Sequence, residues 1–387
     1  MRPPIKLKDC LWVRSPGLSE QTLFNPITRT LQQNHCRTFS LRLKTEPDSL
    51  SRLKQLLWKK DDHVILHGLL PGELQALKPW LQERKKFSIL LVDWWSSPFW
   101  FTQNAEYVLF HLYSGIAARL HSASFANHWD PPLLAWPEQR VPYEFACAAL
   151  RPLALLAQPW LSARQQRQRD TDVIRPERLI YFPIPVSAED LPFRDEPPEY
   201  DFCNIGASCG FWVIRDPYAP AKYNFVNLYS DRKRLADMIL SREGRPYKIF
   251  DRRRHPGRLP WNTYCESIRR SRFGICTGGI HQASVPKYLE YACFGTPMIG
   301  SLLPYEFPWL DQCLFPIDAM EIDPEALPEK LDEAFAAQPA LRRNCLELRD
   351  TLLRMYDPAR VFDLAQEQID GKPIPPGYLR EQPLAPG

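Results

Sequence analysis

Residues 276–300, CTGGIHQASVPKYLEYACFGTPMIG, decide the fold. The apolar run ending at Cys276 reads as a strand, and Gly278 and Gly279 end it in a turn. After a short polar loop, Ser284 stands where a helix cap belongs and Pro286 falls in the first turn. Helical spacing groups Leu289, Ala292 and Cys293 on a core face, and Lys287 with Glu290 on a different face. The helix runs to about Gly295, and TPMIG is the next strand. Strand, glycine turn, helix and strand in that order make one unit of a doubly wound α/β domain.

Backbone amides at a helix start are unpaired and carry the positive end of the helix dipole, so they suit a diphosphate. Gly278 and Gly279 let a phosphate come close to the main chain. Lys287 and Glu290 share a face that begins near this turn, which places Glu290 to accept hydrogen bonds from ribose hydroxyls. The same two residues also fit a plain exposed i, i+3 ion pair.

Working outward, YDFCNIGAS (200–208) reads as a strand with a glycine turn, Asn227 to Arg242 as a helix bearing DRKR, and RPYKIF (245–250) as a short strand. A helix from Trp261 to Arg270 precedes RFGICTGG. Past Leu314, DPEALPEKLDEAFA and Leu341 to Met355 read as two helices. In the first half, DHVILHGLL (62–70) and FSILLVDWW (87–95) are strands, with a helix between them from about Glu73 to Lys86. Residues 104–120 have helical spacing. The expected class is α/β, with two Rossmann-like domains facing across a cleft: residues 1–185, then 186–370, with 371–387 a flexible tail and the crossing at about 183–199.

The whole chain of 387 residues, 44% apolar and 24% charged, is long enough for two cores. Its 49 basic and 45 acidic residues are too evenly balanced to require a polyanion, so stable nucleic-acid binding is not expected. None of the ten cysteines forms a Cys-x-x-Cys pair, which argues for reduced thiols and against a zinc site. Without a stretch near the ~20 apolar residues of a membrane span, the expected compartment is the cytoplasm, with peripheral contact at the inner membrane face left open.

The string PKYLEYACFGTPMI (286–299) resembles the donor-site helix of GT-B-fold glycosyltransferases, of the family 1/4-like kind. YCESIRRSRFGIC (264–276) resembles the helix and strand before that site in exostosin-like and CgeB-like transferases. The resemblance covers about residues 179–357. It implies a hexosyltransferase that uses a nucleotide sugar as substrate, without cofactor or metal, and a glycan or lipid-linked acceptor. It gives Glu290 the ribose and Lys287 a place near the phosphates. His281 would bond a phosphate or a sugar hydroxyl, although Gln282 stands where many retaining relatives have an acid. Arg215 and Lys222 are the cations available to the leaving diphosphate.

An inverting reaction also needs a base. Asp93 follows SILLV at a strand's carboxyl end and is the candidate, with His67 a weaker one; a cap on the next turn is the plainer reading of Asp93. The aromatic run WWSSPFWF (94–101) fits a sugar-stacking platform or core packing, and DRRRH (251–255) an anion contact or a solvated loop. Two other functions stay open: a non-catalytic nucleotide-binding scaffold, and a DNA or protein glycosyltransferase.

Overall fold

The computed structural model describes residues 5–15, 25–43, 45–57, 63–69, 71–84, 86–91, 104–110, 178–205, 211–215, 223–227, 230–240, 247–252, 259–277, 286–303, 307–319 and 321–380. Among them the apolar runs assemble into two parallel sheets, the α/β architecture expected.

The first sheet takes β1 (Leu11–Arg14), β2 (Arg37–Ser40), β3 (Val64–His67), β4 (Phe87–Leu91), β5 (Val108–Phe110) and β6 (Leu179–Tyr181), in the order β2-β1-β3-β4-β5-β6. Helices α1 (Asn25–Gln33), α2 (Ser49–Leu57) and α3 (Pro71–Arg84) connect its leading strands. The order reverses at β1, so the border between β1 and β3 is a topological switch point. Right-handed crossovers running in opposite directions put α1 on one face and α2 and α3 on the other. One expectation fails here. Residues 108–110, read as part of a helix, pair in parallel with both β4 and β6, and the sheet's demand for a central buried strand overrides the helical spacing.

The second sheet takes β7 (Tyr200–Asn204), then, past the antiparallel hairpin of β8 (Phe211–Arg215) and β9 (Tyr223–Asn227), β10 (Ile249–Asp251), β11 (Ser271–Cys276), β12 (Met298–Gly300) and β13 (Leu314–Pro316). Its order is β10-β7-β11-β12-β13, with every pair parallel and the reversal between β7 and β11. The helices are α4 (Ser230–Leu240), α5 (Trp261–Arg269), α6 (Pro286–Cys293) and α7 (Leu327–Met355). One face of this sheet packs Phe202, Phe273, Ile275 and Ile299 against Leu235 and Ile239 of α4 and Leu327 and Leu331 of α7. Where the sequence suggests two helices, α7 runs unbroken through Pro339.

The chain divides into two compact units. Among the described residues, the first takes the chain through β5, the residues up to Ser187, and Met355–Pro375; the second takes Ala188–Arg354 and the residues from Pro376 on. Two segments thus depart from the 186–370 and 371–387 divisions. Helix α8 (Pro358–Ile369), which Asp357 caps by accepting from Ala359 N at 2.9 Å, lies against the first sheet. Its Val361, Phe362, Ala365 and Ile369 join Trp12, Ile65, Leu90 and Ile180 in one core with Ile27 and Leu31 of α1. Gln366 accepts from Leu7 N at 2.8 Å, and Gln368 bonds both main-chain groups of Tyr181. The described part of the tail is docked: Tyr378 is buried, and Arg380 donates to Asp311 at 2.6 and 2.8 Å and to Leu303 O at 3.0 Å. Among the described residues no helix is long and apolar enough to cross a membrane.

Candidate functional site

Parallel sheets offer their ligand sites at the carboxyl edge beside the switch point. In the second sheet that edge holds the ends of β7 and β11 and the start of α6. Close packing there begins with glycine. Gly300 has φ of 139°, and a Cβ on it would lie 2.0 Å from Cys276 O, so β12 can run past the end of β11 only with glycine at this position. A Cβ on Gly274 would lie 2.5 Å from the Tyr291 ring, so α6 settles onto β11 through that gap.

Helix α6 is more deeply set than its sequence suggests. Tyr288, Leu289, Glu290, Tyr291, Ala292 and Cys293 are all buried, Glu290 as deeply as the core face, while Lys287 is half-buried. The tyrosines make this possible because each hydroxyl reaches a main-chain carbonyl: Tyr288 donates to Ser301 O at 2.8 Å and Tyr291 to Cys203 O at 3.2 Å.

Glu290, 8% exposed, sits in this helix with one carboxylate oxygen, Oε2, accepting the hydroxyl of Tyr264 from α5. Burial raises its pKa above the ordinary carboxylate range, while the charge of Lys287 and the Tyr264 hydrogen bond pull it back. Burial, then the Glu290 charge, pushes the Tyr264 phenol well above its usual value, so it remains a donor. The ring of Tyr264 stacks on Trp261, with centroids 4.9 Å apart and planes at 12°, and Trp261 Nε1 donates to Asp190 O at 3.0 Å. The glutamate is therefore held by a chain of fixed groups.

A second buried ionic group adjoins the end of β11. Asp231 and Arg232 open α4 at 5% and 1% exposure. Arg232 Nη2 donates to Thr277 O at 2.9 Å, and Asp231 Oδ1 accepts from Arg232 N at 2.7 Å. Burial raises the Asp231 pKa and the Arg232 charge opposes it. Sequence reasoning saw Arg232 only as part of the basic group DRKR; its i, i+3, i+4, i+7 spacing with Leu235, Ala236 and Ile239 is the signal that would have turned it inward. Next along the edge, Asn204 Nδ2 donates to Asp251 Oδ1 at 3.2 Å, both residues being buried. Asp251 thus belongs to the sheet edge rather than to a solvated DRRRH loop.

Of the residues singled out from sequence, Lys287 and Glu290 come together on α6. Gly278, Gly279, His281 and Ser284 lie outside the described residues, as do Lys222, Asp93 and the run 94–101. Arg215 ends β8 opposite Tyr223, and its backbone alone is described. His67 ends β3 in the first sheet, buried, edge-on to Trp12 with centroids 6.5 Å apart. Among the described residues no cluster of three His, Cys, Asp or Glu could hold a metal ion.

No protein-family model matches the chain, and no curated protein does. Solved structures do match. Anabaena HepE in complex with UDP-glucose is similar over 94% of this chain and 99% of its own, at 9% identity and a TM-score of 0.45. Acinetobacter baumannii MurG is similar over 93% and 99%, at 11% identity and a TM-score of 0.39. Sucrose-phosphate synthase from Thermosynechococcus elongatus is similar over 87% and 84%, at 11% identity and a TM-score of 0.39. The similarity is to GT-B glycosyltransferases, in the two parallel Rossmann-like sheets. The fold rests on the two parallel sheets themselves.

Proposed function

We propose that the chain is a glycosyltransferase that binds a nucleotide sugar at the carboxyl edge of the second sheet and passes the sugar to a hydroxyl of a glycan or lipid-linked acceptor. The observation that carries this reading is Glu290: a carboxylate buried beside a switch point, fixed through one oxygen by Tyr264 and next to Lys287. A carboxylate held in this way keeps lone pairs for a ligand and loses little freedom when it binds one, which suits a pair of ribose hydroxyls.

Breaking the bond between sugar and phosphate puts positive charge on the ring and negative charge on the departing diphosphate. In our reading the amides at the start of α6 and the Lys287 ammonium meet that charge without a metal, helped by Arg215 and Lys222. The buried Arg232, bonded to the last carbonyl before Gly278, adds a fixed positive field at the same edge. Asp93 is the proposed base for the acceptor hydroxyl.

The test is calorimetric titration of wild type and Glu290→Gln with UDP, GDP, CMP and dTDP sugars. One class of donor should bind the wild type and bind Glu290→Gln about tenfold or more weakly, because a charge-assisted bond becomes a neutral one. Equal affinity, or no donor bound, refutes the placement. Binding without turnover on any acceptor would favour the scaffold.

A further inference from the structure

The carboxyl edge of the first sheet holds a second polar cluster. Arg14 and His67 are in register at the ends of β1 and β3, on either side of the switch point. Such neighbours lie about 4.8 Å apart and point to the same face. That face is the one covered by α1 and α8, since Trp12 and Ile65, two residues earlier on the same strands, belong to its core.

Arg14 Nη1 donates to Thr28 Oγ1 of α1 at 2.8 Å. Its Nε is shielded from solvent and, among the described residues, meets no acceptor. Burial pulls the guanidinium below its ordinary value, and among the described residues no carboxylate counters that pull. Glu73, from α3 on the opposite face, accepts from Ser15 Oγ at 3.2 Å. Taking a charge out of water is unfavourable unless a partner offsets it, and a guanidinium presents a planar fork that fits the oxygens of a carboxylate or phosphate.

We propose that this edge binds an oxyanion, the carboxylate or phosphate group of a small molecule, through the Arg14 guanidinium. Thr28 fixes the orientation of the fork, and the buried His67 forms the adjoining wall. The inference does not depend on the function assigned to the second sheet.

Thermal melting of the full chain tests it, with inorganic phosphate and acetate added separately at constant ionic strength against chloride. Wild type, R14Q, R14K and K287A are compared. At least one anion should raise the wild-type Tm by about 3 °C or more at saturation. R14Q should lose that rise and, without anion, melt at or above the wild-type temperature; K287A should keep it. The anion that acts tells a phosphate site from a carboxylate site. If R14Q proves unstable, R14K decides, since it keeps the charge without the fork and should need at least tenfold more anion. No rise in wild type, a rise undiminished in both Arg14 variants, or a rise lost only in K287A overturns the proposal, the last by placing the anion on the second sheet.

Discussion

The two sheets reverse their strand order in the same way, β2-β1-β3 in one and β10-β7-β11 in the other, yet they handle charge at that edge differently. At the second edge each buried charged group has a neutral hydrogen-bonding partner: Glu290 the Tyr264 hydroxyl, Arg232 the Thr277 carbonyl, Asp251 the Asn204 amide. At the first, Arg14 has one hydroxyl and, among the described residues, no counter-charge. Topology fixes where an edge can bind. What it binds is set by which charges the chain leaves for a ligand to neutralise.

The largest effect expected is on the frame of the second edge. Gly300→Ala forces a Cβ toward the Cys276 carbonyl at a positive φ and should cost about 3 kcal/mol or more, read as a lower urea midpoint; a change under about 1 kcal/mol would mean that β11 and β12 are not so closely set. Glu290→Ala comes next. It strands the Tyr264 hydroxyl in a partly buried place and should cost about 1–3 kcal/mol as well as donor affinity, whereas Glu290→Gln keeps an acceptor and most of the stability. If the two variants melt alike, the Tyr264 bond contributes nothing to the edge.

The pH dependence follows with a smaller amplitude. Because the folded pKa of Glu290 is raised, its folded form keeps a proton that the unfolded chain has already released. The stability it contributes is therefore greatest below the ordinary carboxylate range and falls as pH rises toward the folded value. Donor binding, which needs the carboxylate, should strengthen through the same interval. Glu290→Gln should flatten both curves, and a wild-type curve already flat there would remove burial as the dominant influence. Smallest is Arg14→Met, which removes a half-buried charge and should change stability by no more than about 1 kcal/mol, in the stabilising direction when no anion is present. A loss of several kcal/mol would show that the first edge neutralises its own charge after all.

Much of the frame was legible. The strands at 64–67, 87–91 and 271–276 and the helices at 261–269 and 286–293 sit where apolar runs and spacing put them. Residues 108–110 were misread because a short apolar run has no period of its own, and only its neighbours in the sheet decide it. Helix α8 carried a sign that went unused, Asp357 followed by Pro358, a cap and a first-turn proline. The pairing of Glu290 with Lys287 followed from spacing alone. Its burial did not, because that depends on Tyr264 from another helix and on two tyrosines whose polar ends find carbonyls. Arg14 gave no signal at all, since a basic residue ending a strand is ordinary until the partners around it are known.

The return of α8 to the first sheet has a consequence for how the chain is made. The bond from Leu7 N to Gln366 spans 359 positions, and the apolar face of β1, β3 and α1 is completed by residues 361–369. On a ribosome adding about 5–20 residues per second, that face waits uncovered for tens of seconds while the second unit is translated. The core of the second unit, whose sheet and helices lie within 200–355, can close before α8 is made, with only the stretch from residue 376 left to dock on it. The core of the first sheet, begun first, is thus closed after the core of the second, and a chain cut short before residue 358 would retain the candidate donor edge and leave the amino-terminal core open to aggregation.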